Sequence, residues 1–435
     1  SVPRDERPNR NHARWISQDV DGDGLAFIMR KQDAGGEFVE SKEMPGLLVE
    51  RKLEDPGPYY KLYPEGMIEN FDGATIPTPT YLSDNQTDLN RNFPYQWYPE
   101  HEQIGAGSYP MNEPESRAVV EFTSARPHIF AWLNLHTFGG VFIRPLGDKP
   151  DAKMDQEDLA VFRQIAHWGD QYAGYPTVSG FEEFLYQPEK PIRGDLIEYA
   201  HYQRGCIAYV CELWDLFEKA GLEKKKRFVE RYTHLDPADM VKIARWDAEH
   251  NAGRTMRPWK KFNHPQLGEV EVGGLDPRVG LWNPPYERID EICRGQSATY
   301  LRVAALAPSV KLADIRLAAI GNGLTRIEVR VENQGYLATY GVSSARALDW
   351  NEPLVAEIET QGCSLANPRE ARQQVGHLDG WGRGRFSGAA AFHFMRSRGN
   401  TGAKTLSWTV RGQGRAVVRL GACRAGWIRQ EIEIP

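Results

Sequence analysis

Three short stretches of the sequence place chemically capable side chains where apolar neighbours would hold them. Leu133-Asn134-Leu135-His136-Thr137-Phe138 ends an apolar run on a histidine. Open α/β sheets collect ligands at the carboxyl ends of their buried strands, so His136 is well placed to hold a metal. Taken alone, a satisfied core histidine is the better reading. Tyr209-Val210-Cys211-Glu212-Leu213-Trp214 buries a carboxylate inside an apolar run, which costs free energy unless the group is paired or functional. Asp88-Leu89-Asn90-Arg91-Asn92-Phe93 sets an amide beside a guanidinium. A planar guanidinium fork recognises a carboxylate through two parallel hydrogen bonds, and a neighbouring amide adds another; the alternative is a surface arginine in a turn.

A fourth stretch, Asp19-Val20-Asp21-Gly22-Asp23-Gly24, resembles the start of a calcium loop, but its twelfth position is Arg30 where a bidentate acid is required. A solvated acidic turn ahead of a strand over residues 25–29 is the reading adopted, and a looser cation site stays open.

The elements that must position these groups follow from periodicity. Residues 115–125 carry apolar side chains at helical spacing, and the run 131–135 reads as a buried strand ending at His136. Residues 159–172 repeat the helical pattern, and 206–213 form a second buried-strand run carrying Glu212. Residues 223–232 and 237–250 read as charged amphipathic helices on the outer face. From Ser1 to Pro308 the chain therefore reads as α/β. After Pro308 the pattern changes to strict alternation over 314–319, 326–332, 405–409, 416–420 and 431–434, separated by Gly, Asn and Pro turns. That is the pattern of a β-sandwich, consistent with one immunoglobulin-like module over 309–435.

At 435 residues the chain exceeds the size at which one core stops growing, and two domains are expected. Its formal net charge is -6, with Lys and Arg scattered among Asp and Glu, which offers no footprint for nucleic acid or an anionic membrane. No apolar run reaches the roughly 18 residues that a spanning helix needs. The 5 cysteines are too few for a disulfide scaffold. Cys206 and Cys211 point to opposite faces of one strand and read as buried thiols, while Cys363 and Cys423 could pair or stay free. Asn85-Gln86-Thr87 fits a glycosylation acceptor.

Taken in order, Asn90-Arg91, Ser108-Tyr109-Pro110 with Glu113-Pro114-Glu115, His136-Thr137-Phe138, Tyr186, and the run from Gly205 to Glu212 resemble the zinc metallocarboxypeptidases related to pancreatic carboxypeptidase A. The resemblance covers residues 1–308 and is strongest over 88–215. It implies a mixed-sheet α/β catalytic domain and a zinc-dependent hydrolase that removes C-terminal residues from peptides with a free C-terminus. His136 would be a zinc ligand and Glu212 the general base; Asn90 and Arg91 would bind the terminal carboxylate. Arg30, in Met29-Arg30-Lys31, would stabilise the oxyanion, and Tyr186, in Leu185-Tyr186-Gln187, would close over substrate. The pocket for the substrate side chain would lie near Ile197.

The family draws its first two zinc ligands from a His-x-x-Glu pair, and none of the 11 histidines here is followed by Glu three residues later. His12 has Trp15 in that place. One protein ligand does not make a catalytic zinc site. The expectation is that the segment before Ser1, carrying the zinc pair and the first strands of the sheet, travels as a separate N-terminal fragment of the same precursor. The catalytic domain in this chain is then incomplete at its N-terminus. The alternatives are a degenerate relative that binds peptide C-termini without cleaving them, and a zinc amidohydrolase acting on cell-wall peptides or small amides.

Overall fold

The computed structural model describes residues 12–79, 87–187, 189–223, 225–393 and 396–435. Asn85 and Gln86 of the glycosylation-type tripeptide, and the residues following Ser1, lie outside them. Residues 131–213 build a four-stranded mixed sheet in the order Ala131–Thr137, Ile207–Leu213, Val141–Arg144, Thr177–Ser179. The first two strands, called below the histidine strand and the glutamate strand, run parallel. The glutamate strand, Ile-Ala-Tyr-Val-Cys-Glu-Leu, is buried along nearly its whole length, as a sheet covered on both faces demands.

Alternation splits that strand between two cores. Ile207, Tyr209 and Cys211 pack with Phe142, Phe162, Ile165 and Val303, whereas Ala208 and Val210 pack with Phe93, Ile143, Leu196 and Tyr199. Cys206 belongs to the second core and Cys211 to the first, which keeps the two thiols apart; both are free, as are Cys363 and Cys423. Helix Pro114–Ser124 starts on a proline, and helix Gln156–Trp168 is capped by Asp155, whose carboxylate accepts from the Glu157 and Asp158 amides.

A separate antiparallel sheet of six strands runs in the order Met256–His264, Gly268–Leu275, Ile28–Gln32, Tyr59–Pro64, Phe38–Glu40, Leu48–Glu50. The expected strand at 25–29 thus sits a few residues later. Helix Pro237–His250 forms as expected, closed by a capping box between Asp236 and Asp239. The helix expected over 223–232 shrinks to Glu230–Thr233. Its aromatic residues are the reason: Phe228 and Tyr232 turn inward against Phe184 and Phe217 instead of riding an outer face.

The C-terminal region holds two antiparallel sheets of four strands, ordered Val310–Gly321, Leu324–Asn333, Ala403–Arg411, Ser364–Leu365 and Arg372–Gly376, Leu354–Gln361, Gly414–Ala422, Gly426–Ile434. One core fills the space between them, with Val329, Trp408 and Val410 from one sheet against Ala356, Val418 and Leu420 from the other. Among the described residues no helix is long and apolar enough to cross a membrane.

Candidate active site

Parallel pairing puts His136 directly beside Glu212 near the carboxyl ends of the two strands. The Asn134 amide nitrogen donates to His136 Nε2 at 2.8 Å, while Nδ1 faces Glu212 Oε1 at 3.7 Å. Burial depresses the His136 pKa, reinforced by the Arg91 charge and opposed by Asp88, so the imidazole is held in its neutral, ligand-competent form. Burial alone pushes the Glu212 carboxyl up to about 7. Its Oε2 is buried with no hydrogen-bond partner among the described residues. A carboxylate kept this dry and poised near neutrality has the properties of a proton acceptor.

The segment after His136 is fitted closely around that carboxylate. A Cβ on Gly139 would stand 1.9 Å from Tyr232 Oη and 3.3 Å from Glu212 Cβ; one on Gly140, at φ +63°, would stand 2.5 Å from Asp215 Cβ. Only glycine fits at either position. Tyr232 Oη donates to the Phe138 carbonyl at 2.6 Å, and the Gly139 amide donates to the Trp214 carbonyl at 2.8 Å. Behind them Arg231 and Asp215 form a buried ion pair at 2.7 Å.

Asn90 and Arg91 lie in the turn Leu89–Arg91, which is capped by the Asp88 carboxylate. Asn90 Oδ1 accepts from the Leu196 amide at 2.9 Å, and Arg91 Nη1 donates to the Asn90 carbonyl at 2.7 Å. No carboxylate among the described residues is within ion-pair distance of the Arg91 guanidinium. The turn is close enough to the histidine for both Asp88 and Arg91 to act on its titration. It is fixed from beneath by Asn92, fully buried, which donates to the Ala106 and Tyr109 carbonyls and to Asn112 Oδ1, and accepts from Ser116. Tyr186 is 54% exposed and packs edge-on to Phe184. Burial raises the pKa of Tyr232, and the Glu212 charge and Tyr186 raise it further, so the two tyrosines and the carboxylate occupy one neighbourhood.

Arg30, expected to stabilise the oxyanion, belongs to a different sheet from His136 and Glu212. It lies on strand Ile28–Gln32 of the six-stranded sheet, with Nε 2.7 Å from Glu271 and Nη1 3.5 Å from Glu40. Tyr60 and Trp259 contact its guanidinium at 4.5 and 4.6 Å from their ring centroids. Two carboxylates and two aromatic faces engage the charge, while Nη1 is buried with no hydrogen-bond partner among the described residues.

The acidic stretch forms a turn in which Asp19 accepts from the Gly22 and Gly24 amides. The carboxylates of Asp19, Asp21 and Glu65 come within 4.8 Å of one another, the one group of three possible metal ligands among the described residues. His136 is not in such a group. The described residues around it offer one imidazole and one base, short of the three protein ligands of a catalytic zinc.

Sequence reasoning overlooked Asn92 and Tyr232. The first is a buried amide immediately after Arg91 that only the fold reveals as a hub. The second could have been found from the spacing of Phe228 and Tyr232, four apart on one helical face.

Residues 79–234 match the zinc carboxypeptidase family, and residues 309–433 match a family described as a domain of unknown function (DUF8731). None of the curated proteins matches the chain. Among solved structures, bovine thrombin-activatable fibrinolysis inhibitor in complex with tick carboxypeptidase inhibitor is 22% identical, covers 40% of this chain and 60% of its own, and has a TM-score of 0.26. DesR, a beta-glucosidase from Streptomyces venezuelae in complex with D-glucose, is 15% identical, covers 29% and 15%, and has a TM-score of 0.14. The chain thus spans less than two thirds of the length of either.

Proposed function

Residues 79–234 match the zinc carboxypeptidase family, and we propose that the chain carries the base and the substrate anchor of an enzyme that hydrolyses the C-terminal peptide bond of peptides. The observation that supports it is the pairing of His136 with Glu212 on adjacent parallel strands, beside a turn whose Arg91 guanidinium has no carboxylate partner among the described residues. Asn90 and Arg91 hold the terminal carboxylate of the peptide, which sets the scissile bond one residue in. Glu212, ionised near neutral pH, takes a proton from the attacking water and returns it to the leaving amine. Neighbouring Tyr186 covers the bound residue. On this chain the family's zinc would be held by His136; when bound it polarises the scissile carbonyl and acidifies water. The remaining ligands come from polypeptide outside the described residues. The histidine strand is an edge of its sheet, with Leu135 53% exposed, and a further strand could pair there. We read residues 1–308 as the catalytic domain and 309–435 as an immunoglobulin-like sandwich.

That the described residues place no further ligands with His136 favours a second reading, a protein that binds peptide C-termini without cleaving them. One experiment separates the two. Native protein, its zinc content measured, is incubated with a peptide bearing a free C-terminus and with the amide of the same peptide, and products are followed by mass spectrometry. Loss of single residues from the free peptide alone supports the enzyme. Binding of the free peptide with no product, at full zinc occupancy, overturns it in favour of the binder.

A further inference from the structure

The turn between strands Gly414–Ala422 and Gly426–Ile434 carries Arg424, which is 3% exposed and reaches out of the C-terminal region into the central sheet. Its Nη1 donates to the Ile129 carbonyl at 2.9 Å and its Nη2 to the Arg204 carbonyl at 2.5 Å. Ile129 lies just ahead of the histidine strand and Arg204 just ahead of the glutamate strand. One guanidinium fork therefore ties together the starts of the two parallel strands whose far ends pair His136 with Glu212. Because side chains alternate between faces, a slip of one residue between these strands would turn one of the two groups away from the other.

The surroundings make the contact rigid. Trp350 donates from its indole nitrogen to the Gln203 carbonyl at 3.1 Å, and its ring is contacted by Arg204 at 4.4 Å and Arg424 at 4.8 Å. Gly205, at φ +58°, lies so close to Ala345 that an added Cβ would stand 2.4 Å from the alanine's own. Leu337, Val342 and Ala345 complete the core under Ile207, Tyr209 and Cys211. Asp158 accepts from the Ser343 and Ser344 amides and closes the same seam from helix Gln156–Trp168.

We propose that the C-terminal two-sheet region braces the candidate site, with Arg424 as a positioning residue that fixes the histidine and glutamate strands against each other. The importance of that pair rests on the proposed function, but the test reads the strands themselves and so succeeds or fails independently of any peptidase activity.

Amide hydrogen exchange is measured by mass spectrometry on the full chain as parent, Arg424→Met, Arg424→Lys and Val329→Ala. The last variant weakens the core of the C-terminal region without touching the seam. Methionine removes both donors at similar bulk, whereas lysine keeps the charge and can still donate. The expected result is about tenfold faster exchange over 129–137 and 204–213 in Arg424→Met, the scale of losing hydrogen bonds to buried carbonyls. Residues 324–333 should be unchanged in that variant and faster in Val329→Ala, and Arg424→Lys should recover part of the protection. Unchanged exchange over 129–137 and 204–213 in Arg424→Met would overturn the proposal. So would the same pattern in Arg424→Met and Val329→Ala, or a lysine variant no better than methionine.

Discussion

The central mixed sheet and the six-stranded antiparallel sheet each bury a charge-bearing side chain, and they treat it in opposite ways. Arg30 is countered by Glu271 and Glu40 and enclosed by Tyr60 and Trp259. Among the described residues Glu212 has no lysine or arginine within ion-pair distance, one unpartnered buried oxygen, and a carboxyl raised to about 7. Charge that is compensated within the fold stabilises the fold; charge that is left uncompensated is maintained at a cost to stability and is available to act on something else. On the proposed function, the contrast would separate a structural arginine from a working carboxylate, although both sit in strands and both look functional in the sequence.

Replacing the charge in the central sheet should give the largest effect. Glu212→Gln keeps shape and volume, and its turnover on free-C-terminus peptides is expected to fall by about 10³-fold, within the range for a lost general base, with peptide affinity retained. Steady-state kinetics and equilibrium peptide binding measure the two separately. Arg91→Ala should follow, with a loss of roughly 10- to 100-fold in affinity for peptides with a free C-terminus and little for their amides, because a charge-assisted hydrogen bond of about 1.5–3 kcal/mol exists only in the first case. Isothermal titration with matched pairs checks it, and equal losses would deny the anchor.

The same contrast predicts opposite stability effects. In the folded, metal-free chain the Glu212 carboxyl titrates at about 7 against an ordinary value of 4.5. Between those values the folded state keeps a proton that the unfolded chain has released, so stability falls as pH rises through that window. Glu212→Gln should therefore match the parent near about pH 4 and exceed it by up to about 3 kcal/mol at about pH 8. Arg30→Met should do the reverse, losing about 1–3 kcal/mol by stranding Glu271 and Glu40. Urea unfolding across the pH range would measure both, and a sign reversal in either would break the comparison.

How much of this was legible depended on whether a residue's partners lie nearby in sequence. The strand over 131–137, the strand over 207–213 and the helices over 114–124 and 237–250 were readable because apolar runs and helical spacing are local signals. Alternation after residue 308 likewise marked five strands, while Leu354–Gln361 and Arg372–Gly376 were not read from it. The ion pair of Arg30 with Glu271 was not legible, because the two are 241 residues apart and no local pattern announces an ion pair across a sheet. Phe228 and Tyr232 carry a local signal in their four-residue spacing, but not the inward packing on Phe184 and Phe217 that it leads to. Arg424 carries no local signature at all: its targets at Ile129 and Arg204 become neighbours only when the two regions pack.

The measurement that tests the account most directly is the turnover of Arg30→Met set beside that of Glu212→Gln, in one assay on a free-C-terminus peptide and corrected for the folded fraction. Arg30→Met is predicted to stay within about twofold of the parent, leaving it some three orders of magnitude faster than Glu212→Gln. A loss for Arg30→Met comparable to that of Glu212→Gln, at unchanged peptide affinity, would return the oxyanion to Arg30 and contradict the division between the two sheets.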